Sequence, residues 1–148
     1  MKGEGGYTLP EMLVVLLIIG TMFALALPSI VRLHNRTELD SAARGLVADL
    51  RGAEMSAYAH QDVHEVWFSS LTPQYTLLEN GQFRSLYRFP KGVKYSGGYL
   101  EQSVSLLRFA PGSASGSGTV RLTGSGREQA TVRVFVTTGH VIYEGIQR

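Results

Sequence analysis

The sequence predicts an α+β protein: one long, protruding N-terminal helix followed by an antiparallel β-sheet on which its distal half packs. Three observations predict it. Residues 12–31 run for twenty positions without a charge. Residues 32–59 bring charges back and space their apolar side chains by three and four. Beyond residue 61 the period drops to two, in short β-branched and aromatic runs broken by turn residues. At 148 residues the chain can build one modest core.

The helix is expected over residues 9–59. Its first part, MLVVLLIIGTMFALALPSIV, spans about 30 Å at ~1.5 Å per residue, the thickness of a bilayer's hydrocarbon core. Its second part carries a stripe of Leu39, Ala43, Leu46, Leu50, Ala53 and Ala57, flanked by Glu38, Asp40, Arg44, Asp49, Arg51 and Glu54. Gly20 and Pro28 are its weak points, and Pro28 is expected to kink it because proline removes a backbone donor and crowds the preceding turn.

Seven runs then read as strands: HEVWF, QYTLL, FRSLYRF, VSLLRF, TVRLT, ATVRVFV and HVIYEG. Asn80-Gly81 marks a tight hairpin, because both residues tolerate positive φ. Thr138-Gly139 marks a second, and residues 111–118, PGSASGSG, read as a flexible loop.

Composition narrows the chemistry. The absence of cysteine excludes disulfides, thiolate metal sites and a cysteine nucleophile. His60 and His64 stand four apart, a spacing that would pair two imidazoles on one helix face, yet no HExxH glutamate accompanies them. They read as two surface histidines. The glycine-rich stretches lack the G-K-[ST] ending of a phosphate loop, no G-x-S-x-G elbow occurs, and carboxylates in the sheet region are scarce, with Glu101, Glu128 and Glu144 isolated. No cofactor, metal site or enzyme is expected. Trp67, Phe68, Tyr75, Phe83, Tyr87, Phe89 and Phe135 alternate as core and sheet-face residues.

Charge is divided along the chain. Residues 1–79 hold 5 basic and 9 acidic groups, whereas residues 80–148 hold 9 basic and 3 acidic. A cationic C-terminal half would suit a polyanion such as DNA, with Arg121, Arg127, Arg133, His140 and Arg148 as the contact, or would be only a solvated sheet face. Arg32, His34 and Arg36 follow the apolar run directly, against the bias that keeps positive charge inside the cell.

Glu11 is the costly residue. It stands at the head of a hydrocarbon-length run, where an ionised carboxylate is unfavourable unless partnered or eased by the helix dipole. Its setting, Gly6-Tyr7-Thr8-Leu9-Pro10-Glu11 and then the apolar run, resembles the class III signal of type IV pilins and type II secretion pseudopilins. The resemblance implies that a prepilin peptidase cuts after Gly6 and methylates the new N-terminus at Tyr7. It implies that Glu11 pairs with the amine of a neighbouring subunit's first residue, setting register in a filament, and that Pro28 is the helix-loosening proline of assembly. Tyr7 stands where phenylalanine is commoner, and Pro10 where a branched aliphatic is usual.

More weakly, residues 41–67 and 104–145 resemble the GspH/FimT-type minor pseudopilins, most of all the ComGD-type subunits of competence machinery. The basic G-R-x-R motif of some FimT-type relatives is absent, since His140, Val141 and Ile142 follow Gly139. The organisation implied is a leader over residues 1–6, a transmembrane or filament-core helix over 7–31, an amphipathic helix over 32–60 and an extracytoplasmic β domain over 61–148. Its partners would be other major and minor pseudopilins, the prepilin peptidase, the membrane before assembly and, in one reading, DNA. Two rivals compete for the apolar run. A secretory signal would be cut after Ala24-Leu25-Ala26 and leave a protein beginning at Leu27. An ordinary single-pass anchor would leave the chain uncut. The function expected is a structural subunit of a competence pilus for DNA uptake, with a type II secretion pseudopilus as the alternative.

Overall fold

The computed structural model describes residues 8–100, 105–111, 113–115, 117–126, 128–135 and 140–147. The chain forms two compact units, residues 1–34 and 35–148. Within the first, every described residue from Thr8 to His34 is exposed. The helix α1 runs over Leu9–His60 and is apolar and long enough at its start to cross a membrane, with no side chain of that stretch buried in the protein. It continues as α-helix through Pro28, where the missing N–H leaves the Ala24 carbonyl without its usual donor. Thr21 returns its hydroxyl to the Ile18 carbonyl at 2.8 Å, so that hydroxyl of the apolar run is satisfied by the helix itself.

The second unit is built around the rest of α1. Leu39, Ala43, Leu46, Leu50, Ala53 and Ala57 are all buried, together with Val47. The spacing-derived stripe is therefore the core face of the helix. Helix α1 ends where Gln61 takes φ 59°, a left-handed residue that breaks the ladder.

Among the described residues nine strands follow: β1 (His64–Phe68), β2 (Gln74–Glu79), β3 (Gln82–Arg88), β4 (Lys94–Leu100), β5 (Leu106–Ala110), β6 (Ser113–Ser115), β7 (Gly118–Thr123), β8 (Gln129–Val134) and β9 (Val141–Gln147). They make two antiparallel sheets rather than one, in the orders β3-β2-β1-β5-β6 and β4-β7-β8-β9. Each of the seven predicted runs contains a strand among its described residues. The Asn80-Gly81 turn has φ 52° and 76° and joins β2 to β3, as that dipeptide predicts. The Thr138-Gly139 turn lies outside the described residues.

Two strands escaped the sequence pattern. Strand β4 contains Gly97-Gly98, which lowers strand propensity, yet the sheet requires both. Gly97 has φ 102° at a bulge, and a Cβ on Gly98 would stand 1.7 Å from the Thr119 carbonyl oxygen on β7. Strand β6 lies within residues 111–118, expected as a flexible loop. Its backbone pairs with β5, Arg108 opposite Ser115 and Ala110 opposite Ser113, so pairing with an existing strand overrides weak local propensity.

One hydrophobic core joins the helix to both sheets. Phe68 of β1 stacks on Tyr95 of β4 at 5.1 Å between ring centroids, linking the sheets directly. Tyr75 touches Tyr87 and Phe89 at 5.3 and 5.2 Å. Phe68, Tyr75 and Phe89 are inside; Trp67 alternates with Phe68 and is exposed, Tyr87 shares a face with Tyr75 yet is exposed with Phe83 on edge strand β3, and Phe135 is exposed just beyond β8.

Candidate functional site

The site that the sequence points to is the start of α1. Thr8 caps it: its carbonyl accepts the Glu11 N–H at 3.0 Å and the Met12 N–H at 3.2 Å. Leu9, Pro10 and Glu11 are then the first three helical residues. Pro10 costs little there, since amides in the first turn have no intrahelical partner. Thr8 and Glu11 stand at the T-x-x-E spacing of a capping box, although the bond between them runs from the Glu11 N–H to the Thr8 carbonyl. Glu11 is exposed in the first turn, where the helix dipole favours a carboxylate. Among the described residues, no cation lies against it. Gly6 and Tyr7 lie outside the described residues.

Where α1 meets the sheets, polar bonds reinforce the apolar contact. Tyr75 of β2 donates its hydroxyl to Asp49, and Tyr143 of β9 donates to Asp40 Oδ1 at 2.7 Å. Arg51 donates to the Val141 carbonyl from Nη2 at 2.8 Å. Arg44 closes on Asp40 at 2.7 Å and lies over the Tyr143 ring at 5.4 Å. The bond from Tyr143 and then that from Arg44 hold the Asp40 carboxyl below its ordinary pKa. Burial, and then the bond to Asp49, push the Tyr75 phenol well above its own. Both phenols therefore remain donors across the physiological range.

The helix exit is clamped as well. Asn80 accepts the Val63 N–H at 3.0 Å through Oδ1 and donates to Asp62 Oδ1 at 2.9 Å, while its own N–H reaches the Val63 carbonyl at 2.7 Å. The hairpin turn that the sequence predicted thus also fastens the connection from α1 to β1.

The two histidines separate. His60 ends α1, exposed, with Nδ1 3.2 Å from the Ser56 carbonyl. His64 is not a surface residue: it opens β1, is only 2% exposed and has no hydrogen-bond partner for Nε2. The helix stops between them, so no shared face exists. No group of three potential metal-ligating side chains occurs among the described residues.

The arginines proposed for DNA contact are only partly brought together. Arg121 of β7 and Arg133 of β8 share the outward face of their sheet, since Val120, Leu122, Val132 and Val134 fill the opposite face. Arg133 pairs with Glu144 at 3.0 Å. His140 is exposed beside Glu54 of α1, whose carboxyl burial raises and His140 partly steadies. Arg127 and Arg148 lie outside the described residues. Two other arginines of the basic half meet acids from the first half: Arg84 bonds Glu79 at 2.5 Å, and Arg108 lies 3.7 Å from Glu65. Part of the charge asymmetry along the chain is thereby offset in space.

Comparison with known proteins bears on both ends of this description. Residues 1–27 match the prokaryotic N-terminal methylation motif. Among curated protein sequences none matches the chain. The fold is similar to that of the minor pseudopilin EpsH from the type 2 secretion system of Vibrio cholerae. The TM-score is 0.56 at 14% identity, over 73% of this chain and 97% of that one. The chain therefore joins the N-terminal methylation motif of type IV pilin-like proteins to an α+β fold similar to that of a minor pseudopilin.

Proposed function

We propose that this chain is a minor pseudopilin, a structural rather than catalytic subunit of an extracytoplasmic filament. The observation that carries the reading is the union, on one helix, of a methylation-type N-terminus with a core stripe that seats two β-sheets. The apolar half holds the subunit in the membrane after the peptidase has cut between Gly6 and Tyr7. In the filament it packs against neighbouring helices, with Glu11 paired to the amine of an adjacent subunit. Such a buried pair acts chiefly on register, since a slip by one residue leaves both charges unpartnered. Pro28 supplies the place where the helix can loosen.

Two machines fit. The sequence resemblance favours a competence pilus that takes up DNA. The fold likeness to EpsH favours a type II secretion pseudopilus that exports protein, and weighs as much. Direct DNA binding through Arg121 and Arg133 is the lesser reading, because ion pairing engages part of the cationic half.

Replacing Glu11 by Val at the chromosomal locus tests the assembly role and the machine together. Loss of transformation with export intact is expected for a competence pilus. Lost export with normal transformation assigns the subunit to secretion. If both survive, Glu11 has no role in assembly.

A further inference from the structure

The five-stranded sheet ends on β3, and among the described residues no strand pairs with its outer side. At an antiparallel edge, alternate residues turn their N–H and C=O groups away from the partner strand. Strand β3 therefore presents a row of backbone donors and acceptors. Its side chains are as open as its backbone. It has no buried residue, whereas every other strand of five residues or more buries at least one. Yet it is rich in apolar side chains: Phe83, Leu86 and Tyr87 are 69%, 40% and 41% exposed.

The pairing register shows what β3 lacks. On the inner face Phe68 of β1 stands opposite Tyr75 of β2, and Tyr75 opposite Tyr87. Their rings follow one another at 6.1 and 5.3 Å between centroids, and this aromatic row stops at the edge. On the outer face Leu106, Trp67, Thr76 and Leu86 lie opposite one another across β5, β1, β2 and β3. That row stops at the edge too, with Trp67 left exposed. Two apolar rows, one on each face, end beside unpaired backbone, and one further strand would continue both.

Charge selects that strand. Arg84 is held by Glu79. Arg88 stands opposite the neutral Gln74, on the face of Leu86, and forms no ion pair among the described residues. Strand β3 has two arginines and no acid, so a second copy laid along it would bring like charge where a carboxylate is wanted. Of the devices that blunt an edge, β3 has a bulge at Arg84 but neither lysine nor proline, and residues 85–88 beyond the bulge pair regularly with β2.

We propose that residues 85–88 are a docking edge for an extended segment of a different protein chain, which adds a strand to the sheet. That segment carries an acidic side chain beside Arg88, an apolar one beside Leu86 and an aromatic one between them, beside Tyr87. Backbone hydrogen bonds supply the affinity and the three side chains the selection. The surface lies wholly within the second unit, so the proposal is independent of the filament reading.

Amide hydrogen exchange of the full chain in detergent tests this, with the end-capped peptide Thr-Thr-Glu-Tyr-Val-Thr-Thr as the probe. Bound antiparallel, the peptide sets its Glu, Tyr and Val beside Arg88, Tyr87 and Leu86. Exchange over residues 85–88 should slow at least about tenfold, while the edge strand β9 stays unchanged. Arg88 is exposed, so Arg88→Glu leaves the fold intact and should abolish the protection. In that variant a peptide with Lys in place of Glu should restore it. No protection by the acidic peptide, or equal protection of the unaltered chain by both peptides, overturns the proposal. Protection that rises with protein concentration in the absence of peptide makes the occupant a second copy and overturns the choice of partner.

Discussion

His64 and Tyr75 illustrate opposite fates of a polar group in the same sheet. Tyr75 carries its hydroxyl through the core to Asp49, whereas His64 keeps Nε2 buried without a partner. Burial lowers the His64 pKa below the ordinary 6.5, outweighing Glu79 and Asp62, which raise it; Arg84 and His60 add to the lowering. Above that pH both folded and unfolded chains hold a neutral imidazole, and stability is unaffected. As pH falls below about 6.5, the unfolded chain takes up the proton first, and folding weakens. The urea midpoint of the full chain in detergent should therefore drop between about pH 7.5 and pH 5.5, with a smaller drop in His64→Leu. An identical pH dependence in the two would assign the effect to other groups. Tyr75→Phe leaves the half-buried Asp49 carboxylate without its donor and should cost about 1–3 kcal/mol. In Asp49→Ala the same tyrosine change should cost less, a coupling measurable by a double-mutant cycle.

At the scale of elements, the amphipathic part of α1 and the glycines of β4 carry the packing. Leu50 is fully buried on the stripe, so Leu50→Ala should lose about 2–5 kcal/mol, read from chemical denaturation. Gly98→Ala should be as damaging by a different route, since its Cβ meets the Thr119 carbonyl and neither backbone can give without breaking the β4–β7 ladder. By contrast Gly45 and Gly52 lie exposed on α1, and nothing lies within 4 Å of an added Cβ. Alanine at either should raise the unfolding midpoint, by about 0.5–1 kcal/mol each, through helix propensity alone. A fall in stability there would show that these positions are already covered in the sample studied.

For the whole molecule, the division into two units separates two solvents. The described residues of the first unit are all exposed, with an uncharged apolar run over residues 12–31. The second buries its stripe, both inner sheet faces and an aromatic cluster in one core. Removal of the detergent should therefore aggregate the full chain while leaving its β-sheet circular dichroism intact. Loss of both signals together would show that the second unit depends on the first. If the lesser reading of DNA contact holds, binding should weaken steeply with salt and vanish in Arg121→Glu with Arg133→Glu.

Periodicity is a local property, and for that reason the sequence by itself determined the helix, its core stripe, seven strands and the Asn80-Gly81 turn. The same holds for the N-terminal methylation motif, which is a contiguous stretch of residues 1–27 and needs no tertiary contact to be read. What only the tertiary structure decided depends on residues remote in sequence. Gly97 and Gly98 weaken a strand locally and are required by a neighbouring one. His64 is spaced as a helical partner of His60, yet the helix ends between them and the sheet encloses it. Two acids of the first half meet bases of the second across β1–β5 and β2–β3, where Glu65 and Glu79 find Arg108 and Arg84. Local pattern reports how each segment can fold; which strand lies beside which, and so which charges and atoms meet, is fixed only when the core closes.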